Sequence, residues 1–185
     1  MAFSAALAQA EGATLGEGLA ERDTGLLTTL VCLDTELWVD DAWQSLIDAL
    51  GGGWLDEALV GGRVRLAVNA GERSVYREAR VAGRRVALAL TTVTGAVRAE
   101  RIVVRAVRIG VGGVSASPLR ARQTEAALRG RSIRPELVEA AVDTMRAEVR
   151  PAGAGDAIEE ATVSAVDALL REALAAALPA GPISS

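Results

Sequence analysis

The stretch whose residue types could carry chemistry is Ile102–Leu128, IVVRAVRIGVGGVSASPLRARQTEAAL. Gly110, Gly112 and Gly113 come just ahead of Ser117-Pro118, which reads as a helix N-cap followed by Pro at the first helical position. A glycine cluster before a helix N-terminus can turn backbone N–H groups toward a phosphate. No Lys or Ser/Thr follows in the P-loop pattern, so the local reading is a strand-to-helix corner. The one thiol, Cys32, lies in the apolar run LLTTLVCLD and reads as a small core residue. No residue by itself makes a self-sufficient active site.

Residue types that are missing narrow the chemistry further. The 185-residue chain has no His, and all 20 of its basic residues are Arg. That excludes His acid–base catalysis, a Ser-His-Asp triad and His-ligated metals. A lone Cys excludes an internal disulfide, a thiolate zinc site and an iron–sulfur cluster held by this chain alone. A net charge of −4 argues against nucleic acid and anionic membrane as partners. No apolar run reaches the roughly 20 residues of a membrane span, and no basic region opens a signal peptide. These features predict a cytoplasmic protein. Arg in place of Lys, with abundant Ala and Gly, suggests a bacterial gene of high GC content.

The elements that must position these residues follow from periodicity. Asp23 precedes the apolar run Leu26–Leu33 and reads as its N-cap. Glu36–Val39 alternates as a strand, Trp43–Leu50 reads as a short helix, and Arg63–Val68 alternates cleanly. Trp38, Trp43 and Trp54 are expected as core anchors. Val75–Ala79, Val81–Thr92 and Ile102–Ile109 read as strands, the last ending or bending at the glycines. Gly95 is expected in a hairpin that pairs Val86–Thr92 with Ile102–Ile109 antiparallel. Pro135–Arg150 and Ile158–Leu178 carry helical stripes. Asn69–Ser74 is the candidate boundary between two units.

RIGVGGVSASPLRARQTEAALRG resembles the C-terminal domain of the carbon monoxide dehydrogenase flavoprotein. That domain closes the FAD-binding medium subunit of molybdenum hydroxylases, the xanthine dehydrogenase family. Val111-Gly112-Gly113-Val114 and Ser117-Pro118-Leu119-Arg120-Ala121 hold the places of the family's Gly-Gly-Val and Pro-x-Arg-Ala. Upstream, Thr14-Leu15-Gly16-Glu17-Gly18-Leu19-Ala20 resembles the family's Thr-Leu-Gly-Gly-Asn-Leu-Ala loop, although a short glycine-bearing stretch is by itself an ordinary loop. In the family, that loop's amides hold the FAD pyrophosphate in an anion-binding nest. Glu17 departs from the second Gly and Gly18 from the Asn.

The resemblance implies an α+β fold. Residues 1–70 would be a partial, second-half FAD-binding subdomain. Residues 71–185 would be an antiparallel three-stranded sheet packed with C-terminal helices. It implies FAD as cofactor, with Thr14, Leu15, Gly16, Gly18, Asp23 and Tyr76 as cofactor-binding residues. Tyr76 stands in the family's Tyr-x-Lys place, where Glu78 replaces the Lys; a core or edge tyrosine is the alternative. The implied partners are a molybdopterin-binding large subunit and an iron–sulfur small subunit. The family's first loop, Ala-Gly-Gly-Thr, has no match here, so a separate chain carrying the N-terminal FAD segment is a further expected partner. The implied function is electron transfer from partner iron–sulfur clusters through FAD to an acceptor. The other reading is a non-redox remnant of this fold, acting as a structural or assembly module or binding another small molecule.

Overall fold

The computed structural model describes residues 22–53, 55, 63–67, 71–97, 101–152 and 160–177. Helix α1 (Thr24–Cys32) is buried at every position from Gly25 to Cys32. A helix apolar all round must have protein on all sides. One flank, Leu26, Leu27, Leu30 and Val31, joins Leu37, Leu46 and Leu55 in a small core. The other flank, with Gly25, Thr28 and Cys32, lies against a sheet.

The small core is roofed by strands β1 (Glu36–Val39), β2 (Ala42–Ser45) and β3 (Val64–Arg65) in the antiparallel order β2-β1-β3. Asp40 and Asp41, both at positive φ, make the tight β1–β2 turn that the strand twist favours. Helix α2 (Leu46–Gly52) follows directly, capped by the Ser45 hydroxyl and ended by Gly53 in the left-handed region.

The larger sheet runs β4 (Arg73–Val81), β5 (Arg84–Val97), β6 (Arg101–Gly112) and β7 (Leu119–Arg120), all antiparallel in that order. Its two faces differ in residue size, as period-2 alternation allows. Val86, Leu88 and Leu90 of β5 and Val107, Ile109 and Val111 of β6 belong to the main core. Helices α3 (Arg122–Leu128), α4 (Pro135–Ala152) and α5 (Glu160–Ala177) complete that core. The opposite face is lined by Ala87, Ala89, Gly110 and Gly112, and there α1 sits. The result is three layers: α1, the sheet, and the C-terminal helices. Glu139–Arg171, Arg146–Asp167 and Arg150–Glu160 fasten α4 to α5 at 2.6–2.8 Å, in the order an antiparallel pair requires.

The α+β class and the antiparallel sheet of three long strands packed with C-terminal helices are as expected; β7 adds a two-residue edge. The expected pairing also holds, with Leu90 opposite Ile109. Several local expectations need correction. The β6 strand does not end at Ile109 but runs through the glycines to Gly112, and Gly113 at φ 81° makes the corner. Ser117-Pro118 does not start a helix. Leu119 and Arg120 first pair with β6, because Arg120 is drawn inward to Glu125 and Asp34, and α3 begins only at Arg122. Its N-terminus has no local side-chain cap. Glu148 of α4 caps it instead, accepting from the Gln123 and Thr124 N–H groups at 2.8 Å each. Gly95 lies inside β5, opposite Val103, within the expected β5–β6 hairpin but not at its turn. Trp43 is in β2, with α2 starting three residues later. Trp38 and Trp43 are not core anchors. They stack edge to face at 5.2 Å on the outer face of the small sheet, half-buried, with Arg65 over Trp43 at 4.7 Å. Trp54 lies outside the described residues.

The contact between α1 and β6 is unusually close. A Cβ on Gly110 would collide with the Thr28 carbonyl oxygen, and one on Gly112 with the Thr28 hydroxyl. Cys32 completes the seam, its Sγ donating to the Arg108 carbonyl at 3.3 Å. Burial pushes its thiol pKa up to about 12, which makes it an inert packing residue. Gly110→Ala or Gly112→Ala must therefore lift the helix off the sheet, and each should cost about 1–3 kcal/mol in urea unfolding. Gly51→Ala, whose Cβ would meet nothing within 4 Å, should be neutral or stabilising by about 0.5–1 kcal/mol. Equal effects at the three positions would contradict a packing seam.

Candidate functional site

Four polar side chains from two distant parts of the sequence meet at the N-terminal end of α1. Asp23 begins the helix; its Oδ1 accepts the Leu26 N–H at 2.8 Å. Its Oδ2 accepts from Arg85 Nη1 at 3.0 Å. Arg85 Nε stands 3.8 Å from Glu78 Oε2, and that same oxygen accepts the Tyr76 O–H at 2.7 Å. Strand alternation explains the gathering. Tyr76 and Glu78 lie two apart on β4, hence on one face, and the pairing of Arg80 with Arg85 sets Arg85 at the end of the same face.

Gly25 makes this proximity feasible. A Cβ there would lie 2.5 Å from the Tyr76 Oη and 3.3 Å from Asp23 Oδ1. The phenol therefore comes down onto the first turn of α1 only because residue 25 has no side chain. Burial first, then the hydrogen bond to Glu78 and its charge, push the Tyr76 pKa up. The ion pairs are partly exposed, with Arg85 at 34% and Asp23 at 43%, so each is worth at most about 1 kcal/mol. The cluster is thus a wet, polar patch with one guanidinium, two carboxylates and a phenol, suited to hydrogen-bonding a hydroxyl-bearing ligand.

Of the residues singled out in the sequence, Asp23 and Tyr76 are brought together here. Thr14, Leu15, Gly16 and Gly18 lie outside the described residues. Glu78 and Arg85 join the cluster without having been singled out. Arg85 is 62 residues from Asp23, and no local pattern links them.

At the other end of α1 lies a second, more deeply buried charge cluster. Arg108 Nη2 reaches Glu72 Oε1 at 2.5 Å, and its Nε donates to Thr91 Oγ1 at 3.1 Å. Arg120 pairs with Glu125 and Asp34, and Glu125 Oε1 also accepts the Ile109 N–H at 2.7 Å. Every charge in this cluster is met by another, which suits a structural role. Among the described residues no group of His, Cys, Asp and Glu is placed to hold a metal, and no helix is long and apolar enough to cross a membrane.

Residues 74–177 match the family model of the CO dehydrogenase flavoprotein C-terminal domain. Among solved structures, the fold is similar to a carbon monoxide dehydrogenase from Hydrogenophaga pseudoflava that lacks the Mo-pyranopterin moiety of the molybdenum cofactor. The TM-score is 0.66 at 22% identity, over 89% of this chain and 60% of that one. Quinoline 2-oxidoreductase from Pseudomonas putida 86 gives 0.61 at 19% identity, with the same shares covered. Reconstituted CO dehydrogenase from Oligotropha carboxidovorans gives 0.61 at 21%, again with those shares. The chain thus spans 60% of the length of each of these three solved chains. At such identities the likeness is one of fold. No curated protein sequence matches.

The raised Tyr76 pKa has a testable sign. Above pH 10 the unfolded phenol loses its proton while the folded one keeps it, so stability falls as pH rises. Wild-type stability in urea should therefore drop more steeply than that of Tyr76→Phe above pH 10, by up to about 1.4 kcal/mol per pH unit. Parallel curves would mean that the phenol is as free in the folded chain as in the unfolded one.

Proposed function

The chain belongs to the CO dehydrogenase flavoprotein C-terminal domain family, and from that premise we propose that it is an FAD-binding electron-transfer subunit, or part of one, of a molybdopterin-dependent hydroxylase or dehydrogenase. The observation that carries the reading is the meeting of Asp23 and Tyr76 over Gly25. These are the two described residues that the family resemblance assigns to the cofactor, and they are 53 positions apart in sequence. In this reading residues 1–70 are the FAD-binding part and 71–185 the C-terminal domain. The partners are a molybdopterin-binding large subunit and an iron–sulfur small subunit, in the cytoplasm of a bacterium.

The residues at the site fit one part of FAD and not another. The first-turn amide of Leu26 is already taken by Asp23, and the Asp23 charge sits where a phosphate would compete. The cluster therefore fits the hydroxyl-rich ribityl or ribose side, with Asp23 and Glu78 accepting and Arg85 and Tyr76 holding them in place. The diphosphate falls to the loop Thr14–Ala20, where glycine amides can form an anion nest. FAD, when bound, would supply the redox chemistry; the protein supplies binding, orientation and local charge.

One observation favours the non-redox alternative. Both Asp23 oxygens are already committed, to Leu26 and to Arg85, so binding a hydroxyl means sharing or displacing one of them. Purification separates the two readings. Protein isolated with flavin absorption bands, or gaining them on adding FAD and the partner subunits, supports the redox reading. Protein that stays colourless under both conditions supports the remnant. Within the redox reading, Glu17→Gly removes a like charge from beside the diphosphate and should tighten FAD binding about fivefold or more, read by flavin fluorescence quenching. Unchanged affinity would place that loop away from the phosphates.

A further inference from the structure

We infer that the arginine-rich surface formed by the first half of β6 and the α3–α4 connection docks an acidic segment of a partner protein. From Arg105 to Arg134 the sequence holds seven Arg and a single acid, Glu125, in a chain whose net charge is −4. Arg108 and Arg120 are buried and already paired. Arg122 is exposed at the start of α3. The other four, Arg105, Arg129, Arg131 and Arg134, are exposed, and none has an ion-pair or side-chain hydrogen-bond partner among the described residues.

Backbone pairing gathers these four. The Val104 N–H donates to the Arg131 carbonyl at 3.1 Å, and the Val104 carbonyl accepts from the Gly130 N–H at 2.8 Å. Arg129 and Arg131 flank Gly130, and Arg105 follows Val104, so three of the arginines adjoin one pair of hydrogen bonds. Val103 bridges to Ser132, which carries the pairing to within two residues of Arg134. A β-bulge presents Arg105. Val93 pairs with Ala106 and Thr94 with Val104, so Arg105 is the extra residue that a bulge re-aims. Val104 and Val107, three apart, both belong to the main core, and Arg105 between them is exposed.

Folding alone does not call for this charge. Arg134 stands in the N-cap position of α4: its carbonyl accepts from the Leu137 and Val138 N–H groups, and Pro135 is the first helical residue. Ser, Thr or Asp there would cap the helix, whereas Arg offers no acceptor and its charge opposes the helix dipole. Only Arg129, at the C-cap of α3, has a local use for its charge. The nearest exposed acid in sequence, Glu136, is one charge against four. A cationic surface on an otherwise acidic protein fits a partner that presents carboxylates over a short span, which Arg can grip in bidentate fashion. An extended polyanion would be repelled by the rest of the chain. No aromatic residue follows Tyr76, so this surface offers no platform on which a base could stack. None of the residues assigned to FAD takes part, so the inference does not rest on that reading.

The test is fluorescence anisotropy with the full chain. The probes are a labelled peptide of alternating Glu and Ser, a Gln–Ser peptide as its neutral counterpart, and an oligothymidylate as a nucleic acid. The Glu–Ser peptide should bind saturably at low salt, weaken as salt is added, and bind about tenfold or more tighter than either of the others. Arg129→Gln combined with Arg131→Gln should weaken it about tenfold. Arg80→Gln combined with Arg84→Gln removes the same charge from exposed positions at the far end of β5, and should change affinity less than about twofold. Arg134→Ser should weaken peptide binding while raising the melting temperature by about 2–4 °C, because it supplies the missing cap. Loss of binding in a variant that folds better is not loss of fold. The inference is overturned if the Glu–Ser peptide does not bind, if the two double variants lose affinity equally, or if the oligothymidylate binds as tightly as the peptide.

Discussion

The structure depends on how closely α1 approaches β6. A helix normally stands off a sheet by the height of the side chains between them. Here Gly110 and Gly112 remove that height on one side, and small residues, Thr28 and Cys32, lower it on the other. The helix can then be covered on both flanks without a thick second core. Its leucines serve the small core, and its small residues serve the sheet. One helix thereby joins the small core to the sheet that carries the main core, and both polar clusters lie at its ends. The arrangement is strict because closely packed interiors tolerate little added volume.

Charge fixes what packing leaves open. Arg108 and Arg120 project from the glycine-lined side of the sheet and its edge toward the C-terminal end of α1. Their side chains are only 10% and 6% exposed. Burial works against the charge of Arg120, and the hydrogen bond and charge of Glu125, with Asp34 behind them, more than offset it. Such buried pairs are weak sources of net stability compared with apolar packing, and breaking one half is costly. Their consequence is geometric: Glu125 binds Arg120 and also the Ile109 amide, so α3, β7 and β6 share one fixed register. This is why β7 exists at all in a segment that reads locally as a helix start.

Much of the fold was legible because it is written in local period. The alternation of Val86, Leu88 and Leu90 with Ala87 and Ala89, and the stripe of Ala141, Val142, Met145 and Val149, each predict an element and its buried face. Asp23 as an N-cap was readable for the same reason. What failed was decided at long range. Pro118 has the composition of a first helical residue, but Arg120 finds its partners in Glu125 and in Asp34, 86 positions away. The glycines read as a turn because nothing local shows that a helix 80 residues earlier will lie on them. The site divides in the same way. Asp23 and Tyr76 were found through their places in a family pattern, whereas Arg85 and Gly25 are defined only by what folding brings beside them.

The same division bears on how the site must work. Asp23 has two roles that cannot both be relaxed: it ends the run of unsatisfied helix amides, and it anchors Arg85 on the sheet. Removing its side chain would therefore loosen α1 at one end and free Arg85 and Glu78 at once, so loss of ligand binding in such a variant would say little about contact with the ligand. Tyr76 is different. Its hydroxyl has one side-chain partner among the described residues, Glu78, and that oxygen, with the ring carbon that bears it, fills the space left by Gly25. Removing only the oxygen leaves the helix cap and the ring packing in place. Direct participation in binding can thus be separated from structural support more cleanly at Tyr76 than at Asp23, because the Tyr76 oxygen packs on Gly25 but neither caps the helix nor anchors Arg85.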